Sequence, residues 1–550
     1  MASSHAPDRT LSGNLPSPTV EAALQVFVAL AVTIVSVSCF AVSIIFGVVA
    51  TFFMTLAVVN VLPWMAPVVV VCTFLYQNVV VAWFTPYVPD NNAFDALRGA
   101  NFIVVMTAYG AFFLASLGAR VRAIAPLRPW LLWAIAVAAV VTLYLMLGVA
   151  RGNAKDAILY FRNTIIPLAC FHIAIVAASL YRIDLHRALL WLGAGIVVYG
   201  YCELFFTLDF LSLFNGDLYI QRAIKRQIES GAFEKTLQET GYVVRGLQDV
   251  MTTAFFNTPL FADIMPRVFR IGGPNYHPIS FAYALGIMAL WLLFRGRWLL
   301  PLAALPLLLV IGSKGAMFLV LVGLFVQMAR RPFGPRLTTL GVVAMAVTWV
   351  AAAIAYGSTH GDYHVLGFLA GLRDFLRNPA GQGLGFGGNL SSTSLNLDWG
   401  QAQAMGATSI PVESAIGVML YQMGVGSAVF FAFLAALAMA ARRQILNNGN
   451  TDFWFAFVAV VAISANAVLQ EEAFYSPLAL GFALLLTGVA MGTSLRTSTW
   501  NARPPARRYS APYSNPLVSN SGLRPATRSA SSFPEPQAVV QPRWPWPVSR

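Results

Sequence analysis

Residues 278–329 read PISFAYALGIMALWLLFRGRWLLPLAALPLLLVIGSKGAMFLVLVGLFVQMA. Three apolar runs, 278–294, 298–312 and 315–329, are separated by two short breaks, Arg295-Gly-Arg297 and Ser313-Lys314. No soluble domain carries so much apolar sequence with so few charges, and the breaks are too short for anything but a reversal of direction. The stretch predicts tightly turned helices inside a bilayer, whose core takes about 20 apolar residues per helix. Arginines at one turn and none at the next set the sidedness, because basic residues favour the cytoplasmic side.

The same grammar extends outward. Residues 22–84 run apolar for about three membrane lengths, with breaks expected near Phe46-Gly47 and Leu62-Pro63. Further spans are predicted at 100–118, 130–149, 164–181, 188–208, 337–356, 411–440, 452–470 and 474–494. The expected fold is all-α: a polytopic transmembrane helical bundle of 12–14 spans over 22–494, preceded by a cytoplasmic segment, 1–21. Basic clusters at 120–128, 182–187, 295–297, 330–336 and 442–443 then fall on one side, the cytoplasmic one, together with both termini. The two long polar loops, 209–277 and 358–410, fall opposite, on the outer side of the membrane. In the first of them, 221–250 has apolar residues at helical spacing and predicts an amphipathic helix on the bilayer surface.

Composition agrees. Apolar residues make up 58%, charged residues 10%, and mean hydropathy is +0.68, which excludes a soluble globule. The net charge of +13 does not argue for nucleic acid, because the tail 495–550 holds eight arginines against Glu535 and alone accounts for +7. Ten prolines and many serines predict that this cytoplasmic tail is disordered. Cys39, Cys72, Cys170 and Cys202 lie in apolar spans without metal-ligand spacing and read as small hydrophobes.

Three segments carry chemistry in a fixed order: IGSKGAMFLVLVGL (311–324), GLRDFLRNPAGQGLGFGGN (371–389) and VESAIGVMLYQMGVGS (412–427). Alternating glycines let a backbone turn its N–H groups toward an anion, or simply turn tightly between a surface helix and the next span. No Gly-Lys-Ser/Thr follows, so the loop is not a nucleotide P-loop. In this order and topology the segments resemble the O-antigen polymerase and ligase superfamily, over roughly 270–440. The resemblance implies an enzyme that moves a glycan from an undecaprenyl-pyrophosphate carrier to an acceptor hydroxyl at the periplasmic face, with no metal and no cofactor. It also implies membrane lipids as surroundings, and a flippase and a chain-length regulator as partners.

Residue by residue, the resemblance offers Arg373 as the loop cation, with Arg377 as its substitute, and Lys314 where relatives more often have Arg. Arg can grip phosphate bidentately, whereas Lys is a point charge. Arg162 is a further candidate for the pyrophosphate, or an interfacial anchor. Glu413 stands near the position of a ligase loop histidine and is the candidate general base; it also reads as a first-turn acid favoured by the helix dipole. Gly383, Gly385, Gly387 and His277 are the candidate glycan-side residues. His360 and His364, spaced four apart, lack a defined third metal ligand. Glu471-Glu472, and Glu203 with Asp209, are acids at the outer ends of spans. The missing loop histidine favours a polymerase over a ligase. A flippase or transporter is the third reading, set back by midplanes almost free of charge.

Overall fold

A computed structural model describes residues 18–229, 247–255, 267–397 and 399–501. The chain is an all-α polytopic membrane protein. Among the described residues, ten helices are long and apolar enough to cross a bilayer, and four shorter apolar helices accompany them. In chain order the main helices are α1 (Pro18–Val42), α2 (Ile44–Val61), α3 (Ala66–Phe84), α4 (Ala100–Ser116), α5 (Arg128–Ala150), α6 (Ala154–Leu180), α7 (His186–Ser212) and the polar α8 (Gly216–Glu229). There follow α9 (Pro278–Phe294), α10 (Leu299–Ile311), α11 (Lys314–Ala329), α12 (Gly334–His360) and the polar α13 (Tyr363–Arg377). The last four are α14 (Ala415–Met423), α15 (Ser427–Asn448), α16 (Thr451–Asn466) and α17 (Phe482–Asn501).

An apolar helix therefore stands at each expected span, with shifted edges, and at 278–294, 298–312, 315–329 and 452–470 it is shorter than the ten long enough to cross a bilayer. The first break falls at Ser43, whose side chain accepts from the Phe46 amide at 3.2 Å, rather than at Phe46-Gly47. The second falls at Leu62-Pro63 as expected. Helix α6 starts ten residues before the apolar run does, because its polar first turns face loops of the protein and not lipid. Of the 221–250 segment, 230–246 lies outside the described residues, and the helix that is seen begins at Gly216. At its start, Tyr219 and Ile220 are buried against Phe94 and Leu97 of the short helix Asn91–Arg98. Residues 1–17 and most of the 495–550 tail lie outside the described residues.

At the centre stands α6, buried along nearly its whole length and packed most closely on α17. Lipid is as apolar as these side chains, so the contact depends on close backbone approach between small residues. Gly488 and Gly492 of α17 face Ala174 and Ala178 of α6, and a Cβ on Gly492 would lie 2.5 Å from the Ile175 carbonyl oxygen. Cys72 and Cys170 are buried within the core, Cys39 and Cys202 half-buried, and all four are free thiols.

Contacts between helix ends sort the bundle into two faces. At one, Arg187 donates to Thr19 (2.8 Å), Arg295 pairs with Asp452 (2.7 Å), and Arg442 donates to Thr339 (3.2 Å). At the other, the described parts of both long loops meet: Asn78 donates to the Asn275 carbonyl (2.7 Å), and Asn153 to that of Gly385 (2.7 Å). The basic loops and the long loops are thus on opposite faces.

Three acids hold the loop face together. Glu203, fully buried on α7, takes the Gly272 and Gly273 amides on its two oxygens, at 2.8 Å each. Asp156 on α6 accepts from the Ser392 amide (2.9 Å) and hydroxyl (2.8 Å). Glu471 accepts from the Tyr160 hydroxyl (2.6 Å) and the Asn389 amide (2.8 Å). An ordinary hydrogen bond contributes about 0.5–1.5 kcal/mol net, and leaving a buried amide or carboxyl unpaired costs about 1–3 kcal/mol, so several together fix loops that bury little apolar surface.

Candidate functional site

Where the loops close over the helix ends they leave two polar cavities that meet at Glu472. The larger, about 500 Å³, has on one side the N-terminus of α11: Gly312, Ser313, Lys314 and Gly315. Gly312 ends α10 in a left-handed turn (φ +70°), which lets the chain reverse within two residues. Ser313 is the N-cap, yet its hydroxyl caps nothing and is buried without a partner. The first amides of α11 therefore keep their partial positive charge facing the cavity, with Lys314 at the first position. Arg270 enters from the segment before α9; its Nε is buried and unpartnered, and burial holds its guanidinium below the usual arginine range.

Opposite these cations stands Glu413. Its carboxylate lies 3.6 Å from Nδ1 of His364, and Asn389 accepts from its amide at 3.3 Å. It is not in the first turn of a helix: Ser414 is the N-cap of α14, accepting from Gly417 at 3.1 Å, and Glu413 precedes it. The helix-dipole reading is thereby corrected. Its backbone is left-handed (φ +61°), which costs a residue with a side chain of the order of 1 kcal/mol and collects at functional sites. Glu472 completes the wall with a buried, unpartnered Oε2. Burial and then the nearby Glu413 raise its carboxyl above the usual range. Trp349, Tyr356 and Tyr363 add aromatic surface.

Of the residues the sequence singled out, the structure brings Lys314 and Glu413 into this cavity and His277 into its smaller neighbour. The His277 ring accepts from the Ser280 amide at 3.3 Å and caps α9, and burial, then Arg270 and Arg98, push its pKa down to about 4. Arg373 goes elsewhere. It donates to the Thr408 carbonyl (3.0 Å) and pairs with Asp374 (3.3 Å), lining neither cavity; nor does Arg377, at the end of α13. Arg162 lies about two turns into α6, near Arg98 and Asp95, rather than at the entry of the helix.

The glycine loop also differs from the anion-binding alternative. Gly383 donates to Gln422, Leu384 to Tyr144, and Gly388 to Pro411, so these amides are spent on carbonyls of the protein. Gly383 and Gly385, each at φ +93°, let the loop lie directly on the backbone of 148 and 157. Gly387 packs against Pro411 and Tyr421. This is a structural turn, and its function is to deliver Asn389 to Glu471 and Glu413. His360 bonds within its own helix end, to the Tyr356 carbonyl at 2.9 Å, and does not join His364. The described residues hold no group of three His, Cys, Asp or Glu placed for a metal.

Sequence reasoning passed over Arg270 and the role of His364. A basic residue two positions before the Gly272-Gly273 turn was the available signal for the first. No protein-family model, curated protein or solved structure matches this chain.

Proposed function

We propose that this protein is a glycosyltransferase of the O-antigen polymerase type in a bacterial inner membrane, with both termini cytoplasmic and the loop face periplasmic. It extends a glycan by transferring it from an undecaprenyl-pyrophosphate carrier to an acceptor hydroxyl. The observation that carries this reading is the pairing of an uncapped helix N-terminus, Lys314 and Arg270 with a carboxylate, Glu413, across one cavity at the membrane surface. A departing pyrophosphate gains negative charge, which fixed amides and cations stabilise. An attacking hydroxyl must lose a proton, and Glu413, oriented by His364 and Asn389, is the group to receive it.

A lipid carrier also needs a path for its tail. An apolar groove of about 640 Å³ runs between α12, α15 and α16, from Val343 to Ile354 along α12. At 1.5 Å per residue those eleven steps span about 16 Å, roughly half a bilayer core. The groove and the cavity share the loop-face ends of α12 and α16, so a prenyl chain in the groove sets its headgroup beside Lys314.

One observation favours the second reading, a ligase: His364 beside Glu413 supplies the loop-face histidine whose absence from the sequence segment favoured a polymerase. Deleting the gene and profiling lipid-linked glycans separates the readings. A polymerase leaves single repeat units on the carrier, a ligase leaves long polymer stranded there, and unchanged profiles of every surface glycan contradict both.

A further inference from the structure

The smaller cavity, about 240 Å³, differs in character from the phosphate cavity. Five asparagines line it from five separate segments: Asn78 on α3, Asn101 on α4, Asn163 on α6, Asn275 before α9, and Asn389 at the end of the glycine loop. Asn275 is 7% exposed, and its side-chain oxygen is buried with no partner. Glu472 Oε2, on the wall between the cavities, is likewise unpartnered. Buried polar atoms are nearly always paired, so orphaned ones converging on one space point to a ligand that completes them. The one cation on this wall among the described residues, Arg98, is engaged by Asp95 at 3.6 Å and by the Tyr219 ring at 5.7 Å.

Carboxamides offer a donor and an acceptor on one neutral group. That suits vicinal hydroxyls, which give and take hydrogen bonds in the same way, better than phosphate, which only accepts. The volume lies below the range typical of drug-sized ligands, about 300–1,000 Å³. Tyr475 and Phe74 add apolar surface for the carbon face of a ring. We propose that this chamber is a sugar subsite, holding one ring of the glycan across Glu472 from the pyrophosphate. This rests on the reading of the larger cavity as a lipid-pyrophosphate site. Asn389 couples the two, since its amide is held by Glu471 while its side chain holds the Glu413 amide. A sugar seated here therefore adjoins the residue that positions the base.

The test uses full-length protein in nanodiscs and saturation-transfer NMR with free N-acetylglucosamine, glucose and glucuronic acid, beside geranyl pyrophosphate as probe of the larger cavity. At least one sugar should receive saturation. Asn275→Ala and Asn101→Ala should each weaken its binding about 2- to 10-fold, the value of one neutral hydrogen bond. Lys314→Ala should weaken geranyl pyrophosphate and leave the sugar unchanged. Size-exclusion profiles and thermal midpoints certify that each variant is folded, and Asn275→Asp, which keeps the acceptor, should retain more sugar binding than Asn275→Ala. Geranyl pyrophosphate bound at Lys314 with no sugar bound, or sugar binding indifferent to both asparagines, overturns the sugar subsite alone. Failure of geranyl pyrophosphate to bind overturns the reading beneath it. Displacement of the free sugar by a prenyl-pyrophosphoryl N-acetylglucosamine assigns the chamber to the donor's ring; simultaneous binding assigns it to the acceptor.

Discussion

Replacing Glu413 with glutamine removes a basic carboxylate and little else, and the surroundings bound what else it can cost. The carboxylate is 29% exposed and 3.6 Å from a histidine that is 33% exposed. An ion pair so open to water contributes about 0–1 kcal/mol. Because Ser414 already caps α14, the helix dipole adds at most about 0.3–1 kcal/mol more. Glutamine meets the same left-handed backbone as glutamate, so the strain is unchanged. Loss of a positioned general base, in contrast, costs about 100-fold or more in rate, equivalent to about 2.7 kcal/mol in the barrier. Structural loss alone does not reach that figure. Glu413→Gly supplies the control, since glycine accepts φ +61° freely: it removes the base while leaving stability unchanged or raising it by up to about 1 kcal/mol. The assay is polymer yield per enzyme from lipid-linked repeat units, with thermal midpoints of the same preparations. Both variants should be folded and at least 100-fold slower. Near-normal turnover of Glu413→Gln would refute the assignment of Glu413 as base.

Further outcomes follow from other parts of the fold. Arg373→Ala should cost less than about 10-fold in turnover and appear mainly as a lower thermal midpoint, because Arg373 ties the Thr408 carbonyl rather than facing a cavity. A loss of 30- to 1000-fold with unchanged stability would instead restore it as the phosphate cation. Gly492→Leu should destabilise by about 1–3 kcal/mol or prevent accumulation of the protein, as its side chain meets the Ile175 carbonyl of α6; an unchanged midpoint in detergent would contradict the packing described. Burial raises Glu471 from the ordinary 4.5 to about 8, so the folded chain binds its proton more tightly than the unfolded one. The stability it contributes is fully present below about pH 4.5 and is lost as pH rises through 8. Thermal midpoints measured from pH 4 to 9 should fall across that window and flatten in Glu471→Gln, and a rise across it would count against the buried placement.

The bundle was legible because hydropathy reports on a solvent, and lipid selects side chains one by one along the chain. Fourteen apolar helices were countable from 278–329 outward, and the arginines placed the long loops together. Edges failed where polar turns are buried against protein, as in the start of α6 at Ala154, since burial by loops leaves no mark in local hydropathy. The site was legible only in part. Lys314 stands out as a charge between two apolar helices, although a turn lysine that snorkels to the lipid headgroups leaves the same mark in the sequence. Arg270 and His364 meet Glu413 from segments far apart in the chain, a convergence created by tertiary packing alone. The glycine loop misled for a related reason. Glycine spacing signals close backbone approach, but whether the approaching group is an anion or a helix-end carbonyl, such as that of Tyr144, depends on what lies opposite.

The most direct measurement is reconstitution. Purified protein in nanodiscs is supplied with undecaprenyl-pyrophosphate-linked repeat units and no nucleotide sugar, and both the glycan ladder and the released undecaprenyl pyrophosphate are quantified. The account predicts a ladder with one carrier released per bond formed, and loss of both in Lys314→Ala combined with Arg270→Ala while the variant remains folded. A ladder of normal yield from that double variant, or carrier never released by the wild-type protein, would contradict it.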